Sequence, residues 1–152
     1  MSLMFKLEDN YRHKGLRKKL VDGIKEKGIT DEAVLEAMGR LPRHFFFDPA
    51  FMEHAYEDVA FQIGEGQTIS QPYTVAYQSQ LLEVKPRDKI LEVGTGSGYQ
   101  ACILSLIGAK VFTIERQKKL NERSKALIEA MNIRNIKFFY GDGFEGLPSF
   151  AP

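Results

Sequence analysis

The sequence lacks several features that mark whole classes of protein. Its 152 residues include one cysteine, Cys102, so the chain cannot form an internal disulfide, and a buried thiol in a reducing cytoplasm is expected. No apolar run approaches the roughly 18 residues of a membrane-spanning helix, and no signal peptide is recognisable. The formal net charge of +1 gives no electrostatic case for nucleic acid or an anionic membrane. A soluble, cytoplasmic globular protein is expected.

Two common kinds of catalytic or binding cluster are also missing. The sequence shows no Ser-His-Asp or Cys-His arrangement for nucleophilic catalysis, and no His, Cys and Asp residues at metal-ligand spacing. His44 and His54 stand without spaced partners, so we expect structural or surface histidines and no metal.

The most informative stretch that is present is KILEVGTGSGY, residues 89–99. Its apolar run, ending at Val93, predicts a short parallel strand of the kind buried on both faces. Gly94, Gly96 and Gly98 then predict a tight turn that a ligand can approach closely, and 99–107 predicts the following helix. Strand, glycine loop and helix indicate a nucleotide-binding unit, with a plain glycine-rich turn as the alternative.

The spacing of residues around this loop narrows the choice of nucleotide ligand. A phosphate-binding loop would need a lysine after Gly98, and the dinucleotide fingerprint would need glycine where Tyr99 stands. Glu92 lies two residues before the first glycine, where a carboxylate would repel a pyrophosphate and suit a cation. The pattern therefore favours S-adenosylmethionine, a sulfonium that also carries an ammonium group, over NAD.

The first half predicts two helices. Residues 12–27 carry apolar side chains at helical spacing (Leu16, Leu20, Val21 and Ile24). Seven basic residues surround them, Arg17 among them, and a solvated helix face is favoured over a nucleic-acid patch. Thr30 is expected to cap a second helix, which buries Val34, Leu35 and Met38.

An aromatic segment and a polar loop come next. Residues 41–63 are irregular and rich in Phe, and we expect them to pack across the later sheet as one wall of a ligand site. The loop 64–72 precedes a helix that ends before Pro86. The Thr68 and Ser70 hydroxyls have two open interpretations, which are capping of that helix and contact with a substrate carboxylate.

The last third predicts a strand over 110–115, a helix over 118–131 and a strand over 136–140. Glu115 falls at the carboxyl end of the first of these strands, about twenty residues beyond the glycine loop. An acid at this position can accept both ribose hydroxyls of a nucleoside.

Taken together, GQTISQP (66–72) and, about twenty residues later, LEVGTGSGY (91–99) resemble the protein-L-isoaspartate O-methyltransferase family. Further matching stretches are LPRHF (41–45), AYED (55–58), IER (114–116) and GDG (141–143). The resemblance runs from about residue 12 to Gly143. It implies an α/β, Rossmann-like fold of S-adenosylmethionine-dependent methyltransferases, a parallel sheet with helices on both faces, preceded by a helical extension.

The resemblance also implies an activity. The family transfers the methyl of S-adenosylmethionine to the carboxylate of isoaspartyl residues in damaged proteins, which begins their repair, and releases S-adenosylhomocysteine. A carboxylate is already nucleophilic at neutral pH, so no strong general base is needed. By family match, Ser70 lies at the reacting centre, and Thr68 and Ile69 frame the peptide.

The cofactor residues implied by the resemblance are Glu92, Gly94, Thr95, Gly96, Ser97, Gly98, Glu115, Arg116, Asp142 and Gly143. Asp142 would accept a hydrogen bond from the adenine amine, with the Gly143 N–H near a ring nitrogen. A plain Asp-Gly turn is the alternative for this pair.

We interpret 1–152 as a single methyltransferase domain, in which 1–62 form a helical and irregular cap, 63–88 the substrate loop and helix, and 89–152 the first half of the cofactor-binding sheet. Residues 1–3 are interpreted as an added leader.

The family fold continues with four further strands, so we expect a fragment whose C-terminal strands are missing. In such a fragment, the strand that begins near Lys89 should be an open edge of the sheet, either exposed to solvent or covered by self-association. The remaining alternatives are a methyltransferase acting on RNA, DNA or a small molecule, and a non-catalytic cofactor-binding fragment.

Overall fold

The computed structural model describes residues 5–64 and 66–151; the expected leader, residues 1–3, lies outside them. The α-helices are α1 (Tyr11–Glu26), α2 (Glu32–Arg40), α3 (Pro72–Leu81), α4 (Tyr99–Ile107) and α5 (Lys118–Ala130). The strands are β1 (Phe61–Gly64), β2 (Gln67–Ile69), β3 (Lys89–Val93), β4 (Lys110–Glu115) and β5 (Ile136–Tyr140). Short 3₁₀ turns cover Arg43–Phe46, Pro49–His54, Gly143–Glu145 and Pro148–Phe150. None of the described helices has the length and apolar character needed to cross a membrane.

The second half confirms the predicted parallel sheet. Strands β3, β4 and β5 pair in parallel in that order, and the carboxyl ends of β3 and β4 lie side by side, with Val93 opposite Ile114. Helix α4 buries nearly all of its first two turns, including Cys102 as expected. Because parallel strands end at the same edge, the glycine loop and Glu115 are brought together.

Strand β3 is an edge strand of this sheet and pairs with β4 alone among the described strands. Leu91 and Val93 are 47% and 63% exposed, while Ile90 and Glu92 alternate with them on the covered side. The expectation of a strand buried on both faces is therefore wrong for this structure, because Leu91 and Val93 point to the same face of the sheet and that face is open to solvent at β3. The expected exposed apolar edge is present.

Helix α1 confirms the first predicted helix but corrects the role of Arg17. Arg17 is 5% exposed, whereas Leu16 reaches solvent. Its guanidinium donates to both carboxylate oxygens of Asp9 at 2.8 and 3.0 Å, to the Tyr56 hydroxyl and to the Gly39 carbonyl. A buried cation is tolerated when its donors are satisfied in this way, and helical spacing alone does not reveal such distant partners.

Helix α2 begins one residue later than predicted. The Asp31 side chain, not that of Thr30, accepts hydrogen bonds from the backbone of Ala33 and Val34. Thr30 instead donates its backbone N–H to the Gln80 side chain of α3. A carboxylate at the first turn also matches the positive end of the helix dipole, so the capping prediction for Thr30 is corrected.

The aromatic segment 41–63 folds differently from the expectation. The Phe46 ring packs edge-on against Tyr99 at a centroid distance of 5.4 Å, and Phe47 packs on Phe61. These rings support the start of α4 and strand β1 rather than lying across the sheet. The antiparallel hairpin of β1 and β2 was not predicted, although Phe61 and Ile63 alternate with polar residues ahead of the turn.

Candidate functional site

A cleft of about 570 Å³ lies at the carboxyl end of β3. Its lining combines 68–70 with the continuous stretch 90–97, and side chains of α3 and α4 complete it. The two motifs that carry the family resemblance, about twenty residues apart in the chain, therefore face one cavity. No residue of the aromatic segment 41–63 lines it, so the expected wall is supplied by β2 and α3 instead.

The glycine loop has a backbone that only glycine adopts without strain. Gly94, Gly96 and Gly98 have φ angles of 90°, 55° and 87°. A Cβ built on Gly94 or Gly96 meets no atom within 4 Å, whereas one on Gly98 would lie 2.6 Å from Cδ1 of Ile128. The first two glycines thus leave space on the cleft side, and Gly98 allows α4 to pack against α5.

Buried polar groups of β4 and α5 hold this loop in place. The Gly96 N–H donates to Oε2 of Glu115 at 3.0 Å, and its carbonyl accepts from the Ser124 hydroxyl at 2.7 Å. The Thr95 hydroxyl lies 2.6 Å from that of Thr113. Thr95 therefore points into the protein, and only its backbone is left for a ligand. Neither Thr113 nor Ser124 was singled out from the sequence.

Glu92 places a buried carboxylate in the wall of the cleft. Burial raises its pKa to about 7; a hydrogen bond donated by the Thr113 hydroxyl at 2.7 Å lowers the pKa, and the neighbouring Glu115 raises it. Near neutral pH the carboxyl is thus shared between its two protonation states. A cationic ligand in the cleft would stabilise the ionised form, in keeping with the chemistry predicted for this position.

Glu115 lies behind the glycine loop rather than in the cleft lining. Its two carboxylate oxygens accept the backbone N–H groups of Gly96 and Gln117, at 3.0 and 2.9 Å. The side chain is buried, and each oxygen retains a second lone pair for another donor. Its contact with ribose hydroxyls stays a prediction.

Asp142 and Gly143 form the Asp-Gly turn that was the alternative for this pair, since the Asp142 carboxylate accepts from the Phe144 N–H at 2.9 Å. Gly143 lies close to the end of β3, because an added Cβ would stand 2.2 Å from Cγ1 of Val93. Neither residue lines the cleft, and Arg116 is exposed beyond β4. Their adenine and cofactor roles stay predictions.

The polar segment 68–70 does not cap α3. The N-cap residue is Gln71 and makes no capping bond, and the free Tyr73 N–H donates instead to the Asp58 carboxylate at 2.8 Å. The capping interpretation of Thr68 and Ser70 is therefore wrong. Both hydroxyls are exposed, and that of Ser70 has no hydrogen-bond partner among residues 5–64 and 66–151, while Ile69 is buried and anchors the segment.

Asp9, His13 and His44 bring possible metal-binding atoms within 4.8 Å of one another, a cluster that sequence spacing did not show. Both Asp9 oxygens already accept from Arg17. The two His44 ring nitrogens bond the Tyr56 hydroxyl and the Glu8 carbonyl, each at 2.8 Å. Because the ligand atoms of Asp9 and His44 are already bonded within the protein, the cluster is a partly buried hydrogen-bond network, and the buried His44 is structural as expected.

The parallel sheet, the glycine loop at the end of its edge strand and the buried acid beside that loop define the Rossmann-like fold of S-adenosylmethionine-dependent methyltransferases. The family model described as protein-L-isoaspartate(D-aspartate) O-methyltransferase matches residues 15–152.

Curated relatives agree with this family. The protein-L-isoaspartate O-methyltransferase of Christiangramia forsetii is 54% identical over 146 residues, which is 96% of this chain and 68% of that protein. The relative of the same name in Flavobacterium johnsoniae is 56% identical with the same coverage. This chain therefore spans about two thirds of the length of these relatives.

Solved structures agree as well. One protein-L-isoaspartate O-methyltransferase superposes with a TM-score of 0.82 at 31% identity, over 90% of this chain and 45% of its own. A Plasmodium falciparum protein described as such an enzyme, in complex with S-adenosyl-L-homocysteine, gives 0.68 at 28% identity, over 88% and 64% of the two chains. The chain belongs to the protein-L-isoaspartate(D-aspartate) O-methyltransferase family.

Proposed function

We propose that this chain carries the cofactor half, and the hydroxyl that orients the substrate carboxylate, of an enzyme that methylates isoaspartyl residues in damaged proteins. The observation that carries the proposal is the shared cleft, in which Ser70 and the glycine loop line one cavity. Membership of the family supplies the substrate class.

The residues of the cleft fit the proposed methyl donor. S-adenosylmethionine, when bound, supplies an electrophilic methyl group on a positively charged sulfur. Gly94 and Gly96 leave open space for close approach, and Glu92 lines the same cleft, where its carboxylate would accept from a ligand ammonium group. Glu115 has lone pairs for ribose hydroxyls, and Asp142 remains the candidate for the adenine amine.

On the substrate side, the chemistry requires orientation more than proton transfer. An isoaspartyl carboxylate is already a nucleophile, and holding one oxygen in line with the methyl carbon can lower a barrier by up to roughly 7 to 11 kcal/mol. The Ser70 hydroxyl is exposed and free of protein partners among the described residues, so it can donate to the other carboxylate oxygen. Thr68 and the backbone of Ile69 would border the peptide.

The test compares methyl transfer to an isoaspartyl peptide with transfer to its aspartyl twin. Because about two thirds of the relatives' length is present, the assay is run on this chain and on the longer protein that contains it, if there is one. We expect transfer to the isoaspartyl peptide alone. Ser70→Ala should lower kcat by roughly 100-fold, the size seen when one positioned donor is removed, and should leave S-adenosylhomocysteine binding unchanged.

Ser149→Ala is the matched control, since Ser149 is exposed and does not line the cleft. Equal methylation of both peptides, or full activity of Ser70→Ala, would overturn the assignment of substrate and residue. Tight binding of S-adenosylhomocysteine without any methyl transfer would favour a cofactor-binding fragment.

The partner and compartment belong to the same proposal. Flexible, isoaspartyl-bearing polypeptide is the partner that the family implies, and the buried free thiol of Cys102 suits a reducing cytoplasm. The exposed β3 edge, with Leu91 and Val93, supports self-association of this chain. Light scattering should then show association that Val93→Lys weakens.

A further inference from the structure

Thr113 has an unusual position for a hydroxyl. It lies in the middle of β4 and is fully buried. Its oxygen lies 2.7 Å from Oε1 of Glu92 and 2.6 Å from the hydroxyl of Thr95. Burying a hydroxyl is unfavourable unless it is hydrogen-bonded, so these two contacts account for its being tolerated there.

When Glu92 is ionised, the chemistry of Thr95, Thr113 and Glu92 fixes the direction of hydrogen-bond donation among them. A carboxylate only accepts hydrogen bonds, so the single proton of the Thr113 hydroxyl must go to Glu92. Thr113 then accepts from Thr95, whose proton has no other described partner. The order of donation runs from the glycine loop through β4 to the acid in the cleft wall.

We propose that Thr113 is a positioning residue for the cationic ligand, because its hydroxyl fixes the Glu92 carboxylate toward the cleft and ties its ionised state to the conformation of Thr95. The inference rests on the proposed function, since it concerns the same cofactor cleft. No substrate or cofactor atom needs to touch Thr113, which does not line the cavity.

The surroundings of Glu92 make its ionisation depend strongly on the hydrogen bond from Thr113. Besides Thr113, the group that affects its pKa is Glu115 on β4, and Glu92 in turn raises the pKa of the Cys102 thiol on α4. Burial and Glu115 both favour the neutral acid, whereas the bond from Thr113 favours the carboxylate. Removing the hydroxyl should therefore shift Glu92 further toward its neutral form, which does not attract a cation.

The first experiment follows the Glu92 carboxyl carbon by ¹³C NMR during a pH titration of the ligand-free protein, with Glu92→Gln used to assign the signal. We expect Thr113→Val to raise the apparent pKa by about one unit, and Thr113→Ser, which keeps the hydroxyl, to restore the wild-type value. Thr113→Ala removes the same hydroxyl with a smaller side chain and should act like valine. An unchanged Glu92 titration in both hydroxyl-free variants would overturn the inference.

The second experiment measures S-adenosylhomocysteine binding by calorimetry from pH 6 to 9. Thr113→Val should weaken binding about fivefold at pH 7, because a rise of one unit in the pKa lowers the ionised fraction of Glu92 by that factor when the wild-type pKa is about 7. The difference should shrink as pH approaches 9. A loss that is equal at every pH would indicate a merely structural role and overturn the inference.

Ser105→Ala is the control for losing a buried hydroxyl elsewhere, because Ser105 lies near the C-terminal end of α4 and bonds Asn135. It should leave the pH dependence unchanged. A wild-type chain that fails to bind S-adenosylhomocysteine would overturn the proposed function together with this inference, whereas normal wild-type binding with a pH-independent Thr113→Val loss would overturn only the inference.

Discussion

The two sides of the cleft are built in opposite ways. On the glycine-loop side, the Gly96 backbone and the Thr95 hydroxyl are bonded to buried side chains of β4 and α5. On the other side, the Thr68 and Ser70 hydroxyls are exposed, and their segment is held by the buried Ile69. The loop side has one rigid shape before any ligand arrives, while the opposite side keeps its polar groups available.

This difference separates stability from activity. Groups that hold the glycine loop are part of the core, so their loss should lower the free energy of unfolding as well as ligand affinity. Groups at 68–70 that bond nothing in the free protein contribute little to folding, so their loss should affect activity alone. The following substitutions test this separation, from the largest expected effect on stability to the smallest.

Glu115→Ala should have the largest effect. It leaves the buried N–H groups of Gly96 and Gln117 without their charged acceptor, and we expect a loss of about 4 kcal/mol in the free energy of unfolding. Glu115→Gln retains one acceptor oxygen and should lose about half as much. Urea denaturation measures both, with exposed Glu122→Ala as the control, expected to change stability by less than about 0.5 kcal/mol. A Glu115→Ala variant as stable as Glu122→Ala would show that the loop does not need this anchor.

Glu92→Gln should raise stability at high pH while it weakens ligand binding. The folded-state pKa of Glu92, about 7, lies above its usual value of 4.5, so the folded state binds a proton that the unfolded state has released between these pH values. Stability should therefore fall as pH rises from 4.5 to 7 and stay low above it. The uncharged amide of the variant avoids this loss, and at pH 8 the variant should be more stable than wild type by about 3 kcal/mol.

Chemical denaturation at pH 5 and pH 8 checks this prediction, and S-adenosylhomocysteine binding should be weakened in the same variant. The matched control is Glu129→Gln, an exposed acid on α5 that should behave like wild type at both pH values. If Glu92→Gln were less stable than wild type at pH 8, the burial of an ionised Glu92 would not be the destabilising feature inferred from the structure.

The elements near the loop could be predicted because their signals are local. Strands β4 and β5 and helix α4 occupy the predicted residues, and the glycine loop begins at Gly94 where the apolar run stops. Each of these depends on periodicity or on a special backbone angle within a few residues. The shared cleft was expected only because 66–72 and 91–99 together resemble one family. Neither motif by itself indicates that the two lie face to face.

The features that the sequence did not predict have non-local causes, since each depends on a partner far along the chain. Arg17 is buried because Asp9, Tyr56 and Gly39 all accept from it. The helix α3 terminus is satisfied by Asp58, which leaves Ser70 free, and no spacing rule connects those residues. Thr113 and Ser124 look like ordinary strand and helix residues until the fold brings them beneath the loop.

Gly98→Ala tests the rigid side at a glycine that does not line the cleft. The positive φ strains any L-residue by about 1 kcal/mol, and displacement of the Ile128 methyl should bring the total loss to about 2 kcal/mol. Gly94→Ala has a similar φ but meets no atom, so only the strain of about 1 kcal/mol is expected. The new methyl of Gly94→Ala should instead obstruct the cleft. Thermal unfolding and S-adenosylhomocysteine binding should thus rank the two variants in opposite order of damage.

The smallest effects on stability come from two serines, one on each side of the cleft. Ser124→Ala removes the donor to the Gly96 carbonyl and should lower the free energy of unfolding by about 1 kcal/mol, the usual value of one buried hydrogen bond. Ser70→Ala removes an exposed hydroxyl without a described partner, so its change should stay below about 0.5 kcal/mol while its effect on turnover is far larger. Equal stability losses in the two variants would mean that the Ser70 hydroxyl is bonded in solution, and the contrast between a rigid and an available side of the cleft would then fail at the residue on which the proposed chemistry depends.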